Sequence, residues 1–284
     1  MKRAVIVLSA AVMMCSSPIG VYAEQMSAQE QTGYSTGTLS APKVTKCKKY
    51  KNAVTLKWTK VKGATGYKVY KKVGSKYKTV GTVRSGSKVK FKIKKLKSGK
   101  KYSFKVRAYK KSGKKLTWSK YSAPKSVTTK ADYSLFKPVV ENFNNGVYPE
   151  TPTRDPEVDT QLHQYFLYDL DGNGVKELVL RIGGYRADSY VYDYNCGSPK
   201  YVGMFSEFAN GGGYGRIGRD IYTYTFHSGY LLVYKTSYKN KKLTTKTAYE
   251  GHDSEKGAYE KVKEYIDKMT LFTWYDLDDP SGLK

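Results

Sequence analysis

The sequence predicts a mainly β protein in which a β-sandwich is followed by an α+β domain with an antiparallel meander and flanking helices. Apolar and polar residues alternate in many short segments, as they do in strands that bury one face. The basic residues are concentrated in one part of the chain, and amphipathic helical patterns occur in the other. A length of 284 residues, of which 39% are hydrophobic, allows two cores.

Residues 1–23 have the features of a secretory signal peptide. Two basic residues precede an apolar stretch too short to span a bilayer, and Val21-Tyr22-Ala23 form a small-x-small cleavage site. A lipid anchor on Cys15 is the alternative, but it requires a small residue in place of Met14. We therefore expect an exported, soluble chain in which the polar residues 24–40 form a flexible linker.

The distribution of charge divides the rest of the chain into two parts. The whole sequence has 51 Lys and Arg against 24 Asp and Glu, a formal charge of +27. Residues 41–130 contain 31 of the basic residues and no Asp or Glu, whereas residues 131–284 contain 18 basic and 22 acidic residues. These two segments are the predicted domains. Cys47 and Cys196 then fall in different domains, which predicts two isolated thiols rather than a disulfide framework.

Several segments of residues 41–130 alternate between apolar and polar side chains, and Gly-containing turns separate them. Seven short strands in about ninety residues is the spacing of a β-sandwich. The apolar positions of the clearest segments are Val54, Leu56 and Trp58; Val89, Phe91 and Ile93; and Tyr102, Phe104, Val106 and Ala108.

Motifs within this segment resemble a fibronectin type III domain of the kind found in secreted proteins of Gram-positive bacteria. The resemblance implies that Trp58 fills the core between two sheets and that the Tyr102 hydroxyl bonds to nearby backbone. It also implies a spacer or adhesion module without catalytic residues. The matching residues are Pro42, Trp58, 66–70, 96–102, 106–109 and 121–122.

The lysines of the predicted sandwich form a candidate binding surface. If Trp58 and Phe91 point inwards, alternation places the neighbouring lysines together on the outer face of one sheet. Like charges that face each other on a sheet are destabilising, so a face selected for stability alone would include acids. We predict a polyanion-binding face, and a solvated solubility face is the alternative. The predicted residues are Lys57, Lys88, Lys90, Lys92 and Lys94.

Because we expect the chain to be exported, this face can bind only polyanions that occur outside the cell. Outside a cell the available partners are anionic cell-wall polymers such as teichoic acids, and acidic glycans, whereas nucleic acid is the less expected partner. Lysine is a point charge rather than a bidentate donor, which favours diffuse attraction to a polymer.

The second domain is predicted to contain a helix, a loop, a series of strands and a second helix. The loop covers residues 146–160, which contain three prolines. The second helix is expected to begin near Asp253 or Ser254. The apolar face of the first helix is Phe136, Val139, Val140 and Phe143, and that of the second is Ala258, Val262, Tyr265, Ile266 and Met269. Strands are predicted at 165–168, 178–180, 190–194, 201–205, 221–226, 230–234 and 243–249.

The most specific chemical motif lies between the first two of these strands. Oxygen ligands at alternate positions suit a hard cation, and calcium is the predicted ion. The motif resembles Asp-x-Asp-x-Asn-Gly-x-x-Glu loops of secreted bacterial proteins, including integrin-like repeat proteins, and it departs from an EF-hand. A metal-free hairpin whose Asp and Asn side chains cap backbone amides is the alternative. The predicted ligands are Asp169, Asp171, Asn173, the Val175 carbonyl and Glu177.

Other patterns in the second domain are weaker functional signals. Residues 213–218 match the letters of a dinucleotide-binding motif, but a strand is predicted where that motif requires a helix. His163, His227 and His252 lie far apart, so we predict no metal site on them. Alternating tyrosines could form a sugar-stacking platform, although cross-strand packing is the favoured interpretation. These are Tyr190, Tyr192, Tyr194, Tyr222 and Tyr224.

No sequence pattern identifies a pair of catalytic carboxylates, so no catalytic residue is predicted. The first functional prediction is a secreted, non-enzymatic binding or adhesion protein, extracellular or retained at the cell wall. The alternative is an extracellular enzyme that acts on carbohydrate or cell wall, with the sandwich as its accessory module.

Overall fold

Two successive β-rich regions make up the part of the chain that the computed structural model describes, residues 38–150, 163–183, 186–208 and 212–284. The predicted mainly β class with antiparallel sheets and few helices is confirmed. The predicted signal peptide, nearly all of the predicted linker and most of the predicted loop at 146–160 lie outside the described residues. The described residues from Thr38 to Lys284 form one compact unit.

Eight strands form the first region: β1 (Val44–Lys49), β2 (Val54–Trp58), β3 (Gly66–Val73), β4 (Lys76–Val83), β5 (Lys90–Ile93), β6 (Lys101–Ser112), β7 (Lys115–Tyr121) and β8 (Lys125–Thr128). They make a sandwich of two antiparallel sheets. One sheet has the order β1-β2-β5, and the other has the order β4-β3-β6-β7, with β8 also paired to β6.

The sequence predicts seven strands, whereas the structure has eight, of which β7 and β8 both pair with β6 and are separated by a short interruption. Three residues separate Tyr121 from Lys125, whereas two residues separate their partners Arg107 and Phe104 on β6. The extra residue makes a bulge between β7 and β8. Pro124 lies within it and has no N–H to donate to the ladder.

The core of the sandwich contains the features that the fibronectin type III resemblance implies. Trp58 is 2% exposed, and its ring meets that of the buried Tyr67 edge to face with centroids 5.3 Å apart. The Tyr102 hydroxyl accepts a hydrogen bond from the Lys97 N–H at 2.9 Å, which fixes the connection between β5 and β6.

Strand β5 is shorter than the alternating pattern predicts. Phe91 packs against the sandwich core as expected, and a Cβ at Gly81 of β4 would lie 2.1 Å from its ring. Past the end of β5 the chain leaves the sheet, and Lys95 has a left-handed backbone with a φ of 56°. Lys88 and Lys94 therefore lie just outside the strand, instead of within it.

The described part of the second region contains nine strands: β9 (Gln164–Tyr168), β10 (Glu177–Ile182), β11 (Arg186–Asp193), β12 (Lys200–Phe208), β13 (Gly213–Ile217), β14 (Asp220–His227), β15 (Tyr230–Lys239), β16 (Lys242–His252) and β17 (Tyr275–Asp276). The helices among the described residues of this region are α1 (Lys137–Asn144) and α2 (Ala258–Lys268), with 3-10 helices at Tyr133–Phe136 and Pro280–Leu283. Among the described residues, no helix has the length and apolar character needed to cross a membrane.

The strands of the second region form two antiparallel sheets, ordered β12-β11-β10-β9-β17 and β13-β14-β15-β16. On β10, Leu178 and Leu180 pack on one face together with α1, while Val179 packs on the other face against the second sheet. Helix α2 covers the far face of that second sheet, where Val262 packs near Val233. The layers are therefore helix, sheet, sheet and helix.

All predicted strands of the meander are present, and the structure adds β13 and β17. Strand β13 occupies most of residues 213–218 and pairs in register with β14. A Cβ at Gly213 would lie 2.4 Å from the Tyr224 hydroxyl, and one at Gly215 would lie 3.0 Å from the Met269 Cβ. These glycines serve close packing, and strand β14 follows them where a dinucleotide-binding motif requires a helix.

Helix α2 begins at Ala258, later than the predicted start near Asp253 or Ser254. The Ser254 hydroxyl lies 2.7 Å from the His252 Nδ1, and the Ser254 N–H donates to the same nitrogen at 3.3 Å. Because Ser254 is engaged in this turn, it does not cap the helix. Gly257, with a left-handed φ of 85°, occupies the N-cap position.

Candidate functional sites

The predicted calcium motif forms the connection of the β9–β10 hairpin. Tyr168 at the end of β9 lies directly opposite Glu177 at the start of β10. Between them the chain turns through Gly172 and Gly174, whose φ values of 76° and 84° favour glycine. The hairpin therefore brings the first and last acids of the motif to the same end of the sheet.

Three carboxylates converge in this loop. Asp169, Asp171 and Glu177 can each place one oxygen within 4.8 Å of the others. Glu177 is fully buried, and its Oε2 accepts a hydrogen bond from the Leu170 N–H at 2.8 Å, while its Oε1 has no hydrogen-bond partner among the described residues. Asp169 repeats this arrangement, since its Oδ2 accepts from the Gly174 N–H at 3.0 Å and its buried Oδ1 has no such partner. Two buried carboxyl oxygens without donors fit a cation that binds oxygen.

The same loop also contains the capping hydrogen bonds of the metal-free alternative. The Asn173 N–H and side-chain amide donate to the Asp171 carboxylate at 3.0 and 2.8 Å, and the Asn173 Oδ1 accepts from the Val175 N–H at 2.7 Å. The Val175 side chain is buried in the core beneath α1. The structure thus brings the three acids together and holds Asn173 and Val175 within the same turn.

The electrostatics of the loop disfavour an unbalanced charge on Glu177. Burial raises the pKa of this carboxyl to about 8, and the carboxylates of Asp171, Asp193 and Asp169 add to the rise, whereas the Leu170 N–H opposes it. A carboxylate in such surroundings is stabilised by a nearby positive charge.

Sequence reasoning missed the residues that surround the acidic loop. Asp193 is buried on β11 and forms an ion pair with Lys241. Burial raises the pKa of the Tyr238 hydroxyl, and the carboxylates of Asp193, Glu177 and Asp171 add to the rise. A Cβ at Gly172 would lie 2.7 Å from the Arg219 Nε. No local spacing signals these neighbours, because the pairing of β10 with β11 is what brings Asp193 close.

Contacts with the sandwich lie next to the acidic loop. The Lys176 N–H donates to the Tyr133 hydroxyl at 3.0 Å, and the Tyr133 ring meets the Tyr194 ring edge to face at 5.7 Å. The Tyr194 hydroxyl hydrogen-bonds Ser98 of the sandwich at 2.7 Å and accepts from the Asp132 N–H at 2.8 Å. The loop therefore adjoins the joint between the two regions.

The five lysines of the predicted binding surface are all exposed. Lys57 lies directly opposite Lys90 in the β2–β5 pair, and Lys92 lies opposite Thr55. The Lys92 ammonium is 4.3 Å from the centroid of the Tyr50 ring. The structure thus places Lys57, Lys90 and Lys92 on strands of the three-stranded sheet, while Lys88 and Lys94 lie beyond the ends of β5.

The weaker signals of the second region have structural explanations. Tyr190 and Tyr194 are at most 1% exposed, so their rings serve packing and offer no face to a sugar. His252 bonds to Ser254 in the turn before α2. Within the described residues, the one group of acids, histidines and cysteines that could hold a metal is the acidic loop.

The fibronectin type III domain family matches residues 40–125. The N-terminal sandwich is therefore a fibronectin type III domain, as its tryptophan and tyrosine positions imply. The comparison with curated proteins found no match.

Several solved structures are similar to parts of the chain. A β-1,2-glucanase from Parabacteroides distasonis is 27% identical over 37% of this chain and 15% of its own length, with a TM-score of 0.30. The fibronectin type III domain of human fibronectin type III domain containing protein 3 is 23% identical over 34% of this chain and 86% of its own, with a TM-score of 0.27. The chicken CNTN1 FN1–FN3 domains are 11% identical over 77% of this chain and 86% of theirs, with a TM-score of 0.27. The assignment of the sandwich rests on the family match.

Proposed function

We propose that this chain is a secreted, non-enzymatic binding or adhesion protein of a Gram-positive cell surface or its surroundings, and that its lysine-rich domain binds anionic polymers. Fibronectin type III domains are common in extracellular binding and adhesion proteins, which supports the general class. Secretion through residues 1–23 and the choice of polymer are parts of the proposal.

The register of β2 and β5 is the observation that carries this proposal. Lys57 and Lys90 face each other directly, and both are exposed. A like-charged cross-strand pair costs up to roughly 1 kcal/mol. Residues 41–130 contain no carboxylate that could offset it. An anionic partner would supply the missing counter-charges and relieve the repulsion.

The proposed partner is an extended anionic cell-wall polymer or an acidic glycan. The basic residues of the domain are lysines apart from Arg84 and Arg107. Arg107 is engaged within the domain, since its Nε donates to the Ser119 carbonyl at 2.6 Å and its guanidinium lies 5.0 Å from the Trp118 ring. The remaining lysines act as separate point charges, which suits many weak contacts along a polymer.

We also propose that Asp169, Asp171 and Glu177 bind a calcium ion, with oxygens of Asn173 and Val175 as further ligands. Calcium accepts oxygen ligands in variable geometry, whereas magnesium requires near-octahedral geometry. The buried oxygens without donors support this assignment. The ion would bind directly to the two buried oxygens that have no donor, and it would stabilise the β9–β10 hairpin.

Sedimentation of the purified chain with isolated bacterial envelopes tests the polyanion function. We expect the chain to sediment at low salt with envelopes that carry teichoic acids, and to be released by several-fold higher salt. Exposed charges are screened beyond a Debye length of about 8 Å at physiological ionic strength, which is the reason for the release. Envelopes stripped of these polymers are the control. Equal sedimentation with stripped envelopes would contradict the proposal.

The enzymatic alternative stays a prediction without assigned catalytic residues. Turnover of a polysaccharide or of peptidoglycan that a single carboxylate substitution abolishes would favour it over the binding function.

A further inference from the structure

A groove of about 660 Å³ lies on the sandwich, and its lining contains none of the five lysines that the sequence singles out. It is located where β3 ends and where the connection between β5 and β6 leads into β6. Its lining contains Tyr102 and six lysines, Lys71, Lys72, Lys95, Lys97, Lys100 and Lys101. A concave surface with this charge can surround an anionic chain, whereas the flat face of a sheet contacts it from one side.

Tyr102 holds the groove in a defined geometry. Its hydroxyl accepts the Lys97 N–H at 2.9 Å, which fixes both the ring and the backbone of the connection. The ammonium groups of Lys71 and Lys100 lie 5.5 and 6.0 Å from the centroid of the same ring. An aromatic face attracts cations at such distances. The ring therefore holds two of the six charges beside the groove before any ligand binds.

The backbone of Lys95 is independent evidence that the connection between β5 and β6 has a functional role. In the described part of the sandwich Lys95 is the one non-glycine residue with a positive φ, 56°. A left-handed backbone costs a residue other than glycine roughly 1–2 kcal/mol. Strain of this kind is concentrated at binding and catalytic sites. Here it directs a lysine into the lining of the groove.

The charges of the groove have no counter-charges within the domain. Residues 41–130 contain no Asp or Glu. Among the described residues, the sandwich lysine that forms an ion pair is Lys51, with Asp132 at 2.7 Å, and it is not one of the six. Within the described residues, none of the six lysines thus forms an ion pair with a carboxylate.

We propose that this groove is the main polyanion-binding site of the domain, and that its ligand is a flexible polymer with a phosphodiester in each repeat. The inference rests on the proposed polyanion function. Six lysines line one groove, so closely spaced anions can contact several of them at once, and a phosphodiester chain supplies anions more densely than a glycan with a carboxylate on alternate sugars. The lining contains no arginine, so recognition relies on point charges rather than bidentate pairing.

Two variants of the full chain with equal loss of charge test the site. The groove variant combines Lys71→Gln, Lys95→Gln, Lys97→Gln and Lys100→Gln. The matched face variant combines Lys57→Gln, Lys88→Gln, Lys90→Gln and Lys92→Gln. Affinity for inorganic polyphosphate is measured at one salt concentration, and melting temperatures show whether each variant folds. We expect the groove variant to lose about tenfold or more of its affinity for polyphosphate, and the face variant to lose clearly less.

The outcomes separate this inference from the function on which it rests. Equal losses in the two variants, or a larger loss in the face variant, would overturn the groove as the main site and leave polyanion binding intact. Binding to hyaluronate but not to polyphosphate would overturn the phosphodiester assignment. Binding to neither would overturn the proposed function itself.

A measurement on the unaltered chain covers the case in which the groove variant fails to fold. Amine acylation followed by mass spectrometry compares lysine reactivity with and without polyphosphate. We expect stronger protection of Lys95 and Lys100 than of Lys57 and Lys90. The reverse order would overturn the inference.

Discussion

Glu177 shows how the position of a single residue in a strand determines its chemistry. It is the first residue of β10, and it is fully buried although Lys176 beside it is exposed. Its hydrogen bond from the Leu170 N–H joins the two ends of the acidic loop. The second oxygen of this carboxyl group has no donor among the described residues, and this is the position where we propose that a cation binds.

Calcium is expected to stabilise the chain through this residue. A ligand that binds only the folded state, at one hundred times its Kd, contributes about 2.7 kcal/mol to the free energy of unfolding. We expect Glu177→Gln and Asp171→Asn to remove most of the calcium-induced rise in melting temperature. Differential scanning calorimetry with calcium and with a chelator measures this.

Asp267→Asn is the matched control for the calcium prediction. Asp267 is exposed on α2 and pairs with Lys263, far from the loop in sequence. This variant should keep the full calcium effect. If titration calorimetry detects no binding to the unaltered chain at millimolar calcium, the loop is only a hairpin turn.

At the scale of elements, alternation of apolar residues was sufficient to predict most strands. The period of two in Val54, Leu56 and Trp58 corresponds to β2, and the tyrosine-rich segments correspond to strands of the second region. Strand β13 was not predicted because its glycines are typical of loops. Their role is to admit Tyr224 and Met269 at close range, which only the strand pairing reveals.

The candidate sites were predictable only where their residues are neighbours in sequence. The acids of the calcium loop lie within nine residues, so their spacing is visible. The groove combines β3 with the β5–β6 connection and depends on the left-handed backbone of Lys95. Asp193 joins the surroundings of Glu177 through the β10–β11 pair. Such convergence follows from strand register, which composition does not determine.

For the molecule as a whole, the joint between the sandwich and the second region depends on close packing. Gly99 of the sandwich has a φ of 61°, and a Cβ there would lie 2.5 Å from the Tyr194 ring and 3.5 Å from the Val175 side chain. Lys51 and Asp132 add an ion pair at 2.7 Å across the same joint, but the Lys51 side chain is 56% exposed, so the pair adds little stability.

A pair of glycine substitutions separates packing at the joint from backbone strain. Gly99→Ala and Gly74→Ala both place alanine at a left-handed position, since Gly74 has a φ of 59°, but a Cβ at Gly74 meets nothing within 4 Å. Overpacking costs roughly 1–3 kcal/mol. We therefore expect Gly99→Ala to lower the free energy of unfolding by at least about 1 kcal/mol more than Gly74→Ala does. Chemical denaturation measures the difference. If the two variants lose the same free energy of unfolding, the contact between Gly99 and Tyr194 does not stabilise the joint.

Binding of the purified chain to labelled polyphosphate and hyaluronate across a series of salt concentrations tests the electrostatic function itself. Because binding would release counterions from the polymer, the logarithm of the association constant should fall linearly with the logarithm of the salt concentration. We predict at least about a tenfold loss between roughly 50 and 200 mM salt for the polymer that binds. Affinity that does not change with salt, or no binding to either polymer, would contradict the account and leave the lysines as a solvated surface.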